Sequence, residues 1–226
     1  MPDTVFIAAL VCKEMIEIFY TRLGQRLPAA NWDSYLSRLP VPLQDKINLY
    51  KRWEDRQAGL FGKLLLIEGL AKYGCSRNCL QNLLIDEYGR PFLDRGPDFN
   101  ISHSGEYVVC AVTASGKVGI DIEKMRPVEL ADFEKCMTAG QWKEIVASDN
   151  RLSLFYYYWT IKESVTKADG RGLSLPLEDI SGDDREALVH GTVWHVRKID
   201  IDDRYRCHLA TSEHAPEIRL TKISWD

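Results

Sequence analysis

Asp121 and Glu123 stand two residues apart in the segment Val118-Gly119-Ile120-Asp121-Ile122-Glu123. Apolar and polar residues alternate there, which predicts a strand with Ile120 and Ile122 on one face and both carboxylates on the other. On that face the two acids lie about 7 Å apart along the backbone. Such a pair suits a hard cation such as magnesium, which takes one or two carboxylates, several waters and substrate phosphates. The plainer alternative is the solvated face of a half-buried strand. A second set of chemically able residues, Trp159, Glu163 and Lys167, is spaced i, i+4, i+8 within the segment Arg151–Asp169. On a helix these form one stripe. An exposed Glu–Lys pair at this spacing contributes only a few tenths of a kcal/mol. Beside a metal, the same acid and amine could move a proton and stabilise charge.

The elements that must position these groups are legible from the pattern. Asp98–Glu123 reads as strand, polar turn, strand, tight turn, strand, with Tyr107–Thr113 and Val118–Glu123 joined through Ser115-Gly116 as a hairpin. Gln44–Tyr73 reads as helix, in one or two pieces, with Leu60, Phe61, Leu64, Leu65, Ile67 and Leu70 on its apolar face and Gly74 as its stop. Thr138 followed by Gln141 has the form of a capping box, and the next helix, Arg151–Asp169, is closed by Gly170. Strands are expected at Thr4–Val11, Leu177–Ser181, Thr192–Ile199, Tyr205–Thr211 and Glu217–Ser224. Helix followed by strands thus occurs twice, although no residue-level repeat accompanies it. Helices and strands do not alternate strictly, so the expected class is antiparallel-rich α+β.

Composition narrows the function classes. The 226 residues carry a formal net charge of −4, which argues against a general nucleic-acid binder but not against a local phosphate pocket. The cysteines are scattered without a C-x-x-C or zinc-site spacing, as expected of a protein in a reducing cytoplasm. The apolar run Val5–Cys12 is too short to span a bilayer and lacks the features of a signal peptide. No membrane association is expected.

Three motifs in order, Asn100-Ile101-Ser102-His103-Ser104-Gly105, Gly119-Ile120-Asp121-Ile122-Glu123 and Trp159-Thr160-Ile161-Lys162-Glu163-Ser164-Val165-Thr166-Lys167, resemble those of the Sfp-type phosphopantetheinyl transferases. Glu87-Tyr88-Gly89-Arg90-Pro91 and Gly170-Arg171-Gly172-Leu173-Ser174-Leu175-Pro176-Leu177 extend the resemblance from about Asp86 to Leu177. It implies two similar, pseudo-twofold-related α+β halves, each with antiparallel strands packed on a long helix, and an active site in the cleft between them. On this reading residues 1–115 form a CoA-binding half, and residues 116–226 carry the metal and catalytic carboxylates. The implied reaction transfers the 4'-phosphopantetheine arm of coenzyme A to a serine of an apo acyl, peptidyl or aryl carrier protein, with magnesium, releasing adenosine 3',5'-bisphosphate.

The resemblance also implies residue roles. Asp121, Glu123 and Glu163 would bind magnesium. The resemblance leaves open whether Glu163 is metal ligand, base for the carrier serine (directly or through water) or both, and has Lys167 stabilising the phosphate or leaving group. Ser102 and His103 match positions that contact CoA phosphates, and Arg90 stands where the family commonly has lysine. Lys46 and Arg56 are the expected basic contacts of the N-terminal half, where Ala58-Gly59-Leu60 departs from the family pattern. A carrier surface is expected near Met125–Met137, with Lys124, Arg126 and Lys135 offering charge and Val128, Leu130 and Phe133 offering apolar area. A self-contained cytoplasmic monomer is the implied state. Two other readings use the same residues: a magnesium-dependent hydrolase of a nucleotide pyrophosphate, and a non-catalytic CoA- or carrier-binding protein of this fold. The chain lacks the clustered acidic motif of pyrophosphohydrolases and retains Asp121, Glu123, Glu163 and Lys167.

Overall fold

A strand, a long helix and a β-hairpin follow one another twice along the chain. The computed structural model describes residues 15–225, so the strand expected at Thr4–Val11 lies outside the described residues. The first unit comprises β1 (Met15–Arg22), three helices α1 (Ala29–Leu36), α2 (Val41–Asn48) and α3 (Trp53–Lys72), a small ribbon of β2 (Leu83–Ile85) and β3 (Pro91–Leu93), and the hairpin β4 (Asp98–Ser104) and β5 (Tyr107–Thr113). The second comprises β6 (Val118–Lys124), α4 (Ala139–Ala147), α5 (Arg151–Asp169), short strands β7 (Ser181–Gly182) and β8 (Glu186–Val189), and the hairpin β9 (Thr192–Lys198) and β10 (Tyr205–Thr211). A last strand, β11 (Glu217–Lys222), ends the described fold.

The two units have the same strand order. One sheet runs β11-β1-β5-β4 and the other β6-β10-β9-β8-β7, so each places its first strand beside the second strand of its hairpin. Pairing is antiparallel except that β11 lies parallel to β1, and the last strand thus joins the sheet of the first unit. The α+β class and the twofold repetition expected from the sequence are both present.

Burial explains which face each strand turns inward. Phe19, Phe99, Val108, Cys110 and Val112 pack beneath α3 with Leu60, Leu64, Leu65 and Leu70. The opposite face of that sheet, with Ile16, Ile18, Val109 and Ala111, meets Val118, Ile120, Ile122 and Leu209 of the second sheet. The far face of the second sheet, with Val196 and Ala210, is covered by Ile161, Val165 and Ala168 of α5. The order is helix, sheet, sheet, helix, and β5 is buried at every residue because both of its faces are covered.

Two expectations are corrected. The Asp121 face of β6 was expected to be wet, but α5 lies on it, and Asp121 is 2% exposed. Instead of a strand at Leu177–Ser181, residues Leu177–Asp179 form a 3-10 turn and only Ser181–Gly182 pair. Lys162, fully buried, donates to the carbonyls of Leu177 at 2.7 Å and Ile180 at 2.5 Å, so those acceptors are lost to a strand ladder.

The elements end as their sequences require. Thr138 and Gln141 form the reciprocal capping box of α4, and Gly170 closes α5 in the left-handed conformation at φ 92°. The helical stretch near residue 50 is two pieces, α2 and α3.

Candidate active site

β6 meets α5 at Gly119. A Cβ on this glycine would lie 2.1 Å from the Ser164 carbonyl oxygen and 2.3 Å from the Ala168 nitrogen, so only glycine lets helix and strand approach this closely. The contact sets the height of α5 over Asp121, two residues further along β6. Lys167 then reaches Asp121 Oδ1 at 2.5 Å and Ser102 Oγ at 3.1 Å, while Ser102 Oγ donates to the same carboxylate oxygen at 3.0 Å. Ser104 Oγ donates to Glu123 Oε2 at 2.7 Å. The structure thus brings Ser102, Asp121, Glu123, Glu163 and Lys167 together from β4, β6 and α5.

The electrostatics follow from this crowding. Burial, and then the Asp121 charge, raises the pKa of Glu163 above the usual carboxylate value. Burial also raises Glu123, against the lowering effect of the Ser104 hydrogen bond. Burial alone would pull Lys167 down, but Asp121, Glu163 and Glu123 outweigh it and hold the ammonium above its ordinary value. Three acids therefore face one amine. Among the described residues the acids are not drawn into a closed metal cage. Asp121 Oδ2, however, is buried without a hydrogen-bond partner. An orphaned carboxylate oxygen next to two acids of raised pKa fits an incoming divalent cation that keeps waters and substrate oxygens in its shell.

Two adjoining cavities open beside this cluster. The larger, about 610 Å³, is lined by Glu163, Thr166 and Lys167 of α5, by Tyr88–Pro91, and by Leu175–Glu178 of the loop that Lys162 pins. The smaller, about 280 Å³, lies between α2, α3 and β4 and includes Lys46, Tyr50, Lys63 and His103. Gly89, Pro91 and Asn100 line both. His103 and Lys46 therefore stand in a wall of the smaller cavity. Burial lowers the His103 pKa, which favours the neutral ring.

Arg56 stands apart from these two cavities, and Arg90 borders the larger one. Arg56 lines a separate cavity with Arg26, Trp32 and Trp53, and its Nε donates to the Tyr50 carbonyl at 2.7 Å. Arg90 borders the larger cavity, but its guanidinium is engaged as a brace. It donates to Ala168 O at 2.8 Å, Asp98 Oδ2 at 2.7 Å and Val118 O at 3.0 Å, tying α5, β4 and β6 together. Lys at this position would keep the charge but not the fork that reaches all three.

Sequence reasoning missed Lys63, Lys162 and Ser104. Lys63 lines the smaller cavity with no ion pair or hydrogen bond from its side chain among the described residues, and burial, aided by Lys46, pulls its pKa down. Its only sequence signal was one more positive charge on a helix. The apolar residues offered for the carrier surface turn inward: Val128, Leu130 and Phe133 pack against Met137, Phe155 and Tyr156, and the Phe133 ring centroid is 4.9 Å from that of Phe155. Arg126 and Lys135 remain exposed, while Lys124 reaches Glu106 at 3.4 Å.

Residues 117–218 match the model of the 4'-phosphopantetheinyl transferase superfamily, and residues 28–115 match that of the 4'-phosphopantetheinyl transferase N-terminal region. A 4'-phosphopantetheinyl transferase of Bacillus subtilis is 32% identical over 203 residues, covering 84% of this chain and 90% of that protein. The transferase Sfp of Bacillus subtilis strain 168 is 32% identical over 171 residues, covering 74% of this chain and 75% of its own. A Xenopus laevis L-aminoadipate-semialdehyde dehydrogenase-phosphopantetheinyl transferase is 29% identical over 184 residues, covering 71% and 59% respectively. The Thermotoga maritima holo-[acyl-carrier-protein] synthase structure overlaps 46% of this chain and 64% of its own, at a TM-score of 0.36 and 22% identity, a likeness too slight to bear on the fold.

Proposed function

The chain belongs to the Sfp-type 4'-phosphopantetheinyl transferases and transfers phosphopantetheine to a carrier protein; we propose that coenzyme A is the donor and that the reaction runs at the cluster of Asp121, Glu123, Glu163 and Lys167. One observation carries the assignment of the site: Lys167, locked between Asp121 and Ser102, stands with Glu163 in the wall of a cavity that adjoins the basic pocket of Lys46, Lys63 and His103. An elongated ligand with a phosphorylated nucleotide at one end and a reactive pyrophosphate in the middle suits that shape.

In this reading the nucleotide lies in the smaller cavity. Its phosphate meets half-buried Lys63, which has no counter-ion among the described residues, together with Lys46 and His103. The pyrophosphate lies between Lys167 and the acids. Asp121, through Oδ2, and Glu123 would hold a magnesium ion, which supplies charge neutralisation on the pyrophosphate oxygens. Glu163 lines the open side, where the carrier serine enters. Its raised pKa makes it a better proton acceptor near neutrality than an ordinary glutamate.

The serine Oγ forms a bond to the phosphorus that bears pantetheine as its proton passes to Glu163. The bridging phosphorus–oxygen bond breaks, and adenosine 3',5'-bisphosphate leaves. Lys167 stabilises the charge developing on the phosphate oxygens. Lys162 keeps the far wall in place by its two bonds to the loop at Leu177–Ile180. Exposed Arg126 and Lys135 near the cleft suit an acidic carrier surface. No described helix is long and apolar enough to cross a membrane. We place the reaction in the cytoplasm, with the chain acting as a monomer.

Purified protein, coenzyme A, magnesium and an apo carrier protein, followed by intact mass, test the proposal. The expected result is a gain of one phosphopantetheine on the carrier, lost with EDTA and restored by magnesium. Free phosphopantetheine without carrier modification would mark a hydrolase. Modification unaffected by EDTA would remove the cation from the mechanism.

A further inference from the structure

The junction between the two sheets is built from side chains. β4 and β6 belong to different sheets and share no backbone ladder. Yet alternate β4 side chains accept alternate β6 amides: Asp98 Oδ2 from Val118 at 2.8 Å, Asn100 Oδ1 from Ile120 at 3.0 Å, Ser102 Oγ from Ile122 at 3.4 Å and Ser104 Oγ from Lys124 at 3.1 Å. The sequence offset is 20 at every rung, so the strands run parallel in one register. The other edge of β6 pairs with β10 over Val118–Lys124, and these side chains occupy what would otherwise be a free sheet edge.

The last two rungs differ from the first two. Asp98 and Asn100 are acceptors there, whereas each serine hydroxyl accepts an amide hydrogen and gives its own hydrogen to a carboxylate. Ser102 gives it to Asp121 at 3.0 Å and Ser104 to Glu123 at 2.7 Å. A hydroxyl has one hydrogen and two lone pairs. Once a lone pair is fixed by the β6 amide, the direction in which the hydrogen can point is restricted. Glu123, with a longer side chain than aspartate, has no other side-chain hydrogen bond among the described residues to hold it.

We infer that Ser104 is a positioning residue for the divalent cation: anchored to the Lys124 amide, it holds Glu123 Oε2 so that the other oxygen faces the site. This rests on the assignment of Glu123 as a cation ligand. The sequence motif Asn-Ile-Ser-His-Ser is, in this light, partly a register device, in which the second serine serves the metal from the opposite strand.

Mn²⁺ titration followed by electron paramagnetic resonance, with coenzyme A present, tests it. Ser104→Ala is expected to weaken Mn²⁺ about 10- to 100-fold, the usual loss when a partner of a metal ligand is removed. Ser104→Thr, which keeps the hydroxyl, is expected to restore most of the affinity. If the alanine variant does not fold, Ser104→Cys fills the same space with a poorer hydrogen-bonding group and should weaken Mn²⁺ in the same direction. A purely structural serine would lower the melting temperature in EDTA while leaving Mn²⁺ affinity at the wild-type value, and that result overturns the inference alone. Wild-type protein that binds no Mn²⁺ overturns the cation assignment and the inference together.

Discussion

Replacing Gly119 with alanine tests the coupling between packing and catalysis most directly. The new Cβ would sit 2.1 Å from the Ser164 carbonyl oxygen and 2.3 Å from the Ala168 nitrogen, both backbone atoms that no rotamer change can move. Ordinary contact begins near 3.4 Å, so α5 must retreat from β6 by about 1.3 Å. Glu163 and Lys167 ride on that helix, and a rigid retreat of this size stretches the 2.5 Å contact between Lys167 and Asp121 beyond hydrogen-bond length. Overpacking of this kind costs about 1–3 kcal/mol. At about 2–4 °C per kcal/mol for a chain of this size, the melting temperature falls by several degrees. Displacing catalytic groups by about 1 Å costs on the order of 100-fold in rate. The assays are thermal unfolding and the initial rate of carrier modification. Gly140→Ala is the control: the nearest atom to its added Cβ is Thr138 Oγ1 at 3.9 Å and the residue is helical, so its rate should match the wild type and its stability should equal or exceed it. A Gly119→Ala protein that melts within a degree of wild type and keeps a third or more of its rate would refute the argument.

Three further outcomes are expected. Lys63→Met keeps most of the side-chain volume and removes the cation, so KM for coenzyme A should rise about tenfold with a smaller change in kcat; an unchanged KM would place the nucleotide phosphate elsewhere. His208 is fully buried, its pKa is pushed down to about 3 chiefly by burial, and its Nδ1 lies 2.7 Å from Thr160 Oγ1. Its folded pKa is below the unfolded value, so the unfolded chain binds the proton first. Stability from this group is present above the unfolded pKa near 6.5 and is lost as pH falls towards 3, at about 1.4 kcal/mol per pH unit. His208→Gln should flatten that acid limb in urea unfolding measured from pH 7 to pH 5; identical slopes for the two proteins would contradict it. Thr138→Ala removes the capping box of α4 and should lower stability by about 1 kcal/mol in the same urea assay, with carrier modification unchanged; no loss of stability would show that the cap contributes nothing.

The local elements and the identity of the reactive groups were legible in the order of the amino acids. Period-two alternation placed Asp121 with Glu123, the i, i+4 spacing placed Glu163 with Lys167, and Thr138, Gln141 and Gly170 marked helix ends where the structure has them. These properties depend on neighbours within a few residues, and local backbone geometry is enough to reveal them. Where each group points depends on what packs against it. Asp121 alternates like a wet-face residue, yet the other side of β6 was already taken by the sheet-to-sheet core, and Gly119 let α5 close over the remaining face. Arg90 reads from its motif as a phosphate contact, and only the convergence of α5, β4 and β6 supplies the two carbonyls and the carboxylate that engage it. Lys63 reads as a solvated helix charge until β4 and α2 close a cavity around it. Ser104 and Glu123 are 19 residues apart and become partners through a register that no local pattern encodes. Charge, hydrogen-bonding capacity and propensity belong to a residue and its near neighbours, whereas burial and partnership arise between distant segments, and in this protein they decide which acids, amines and hydroxyls form the site.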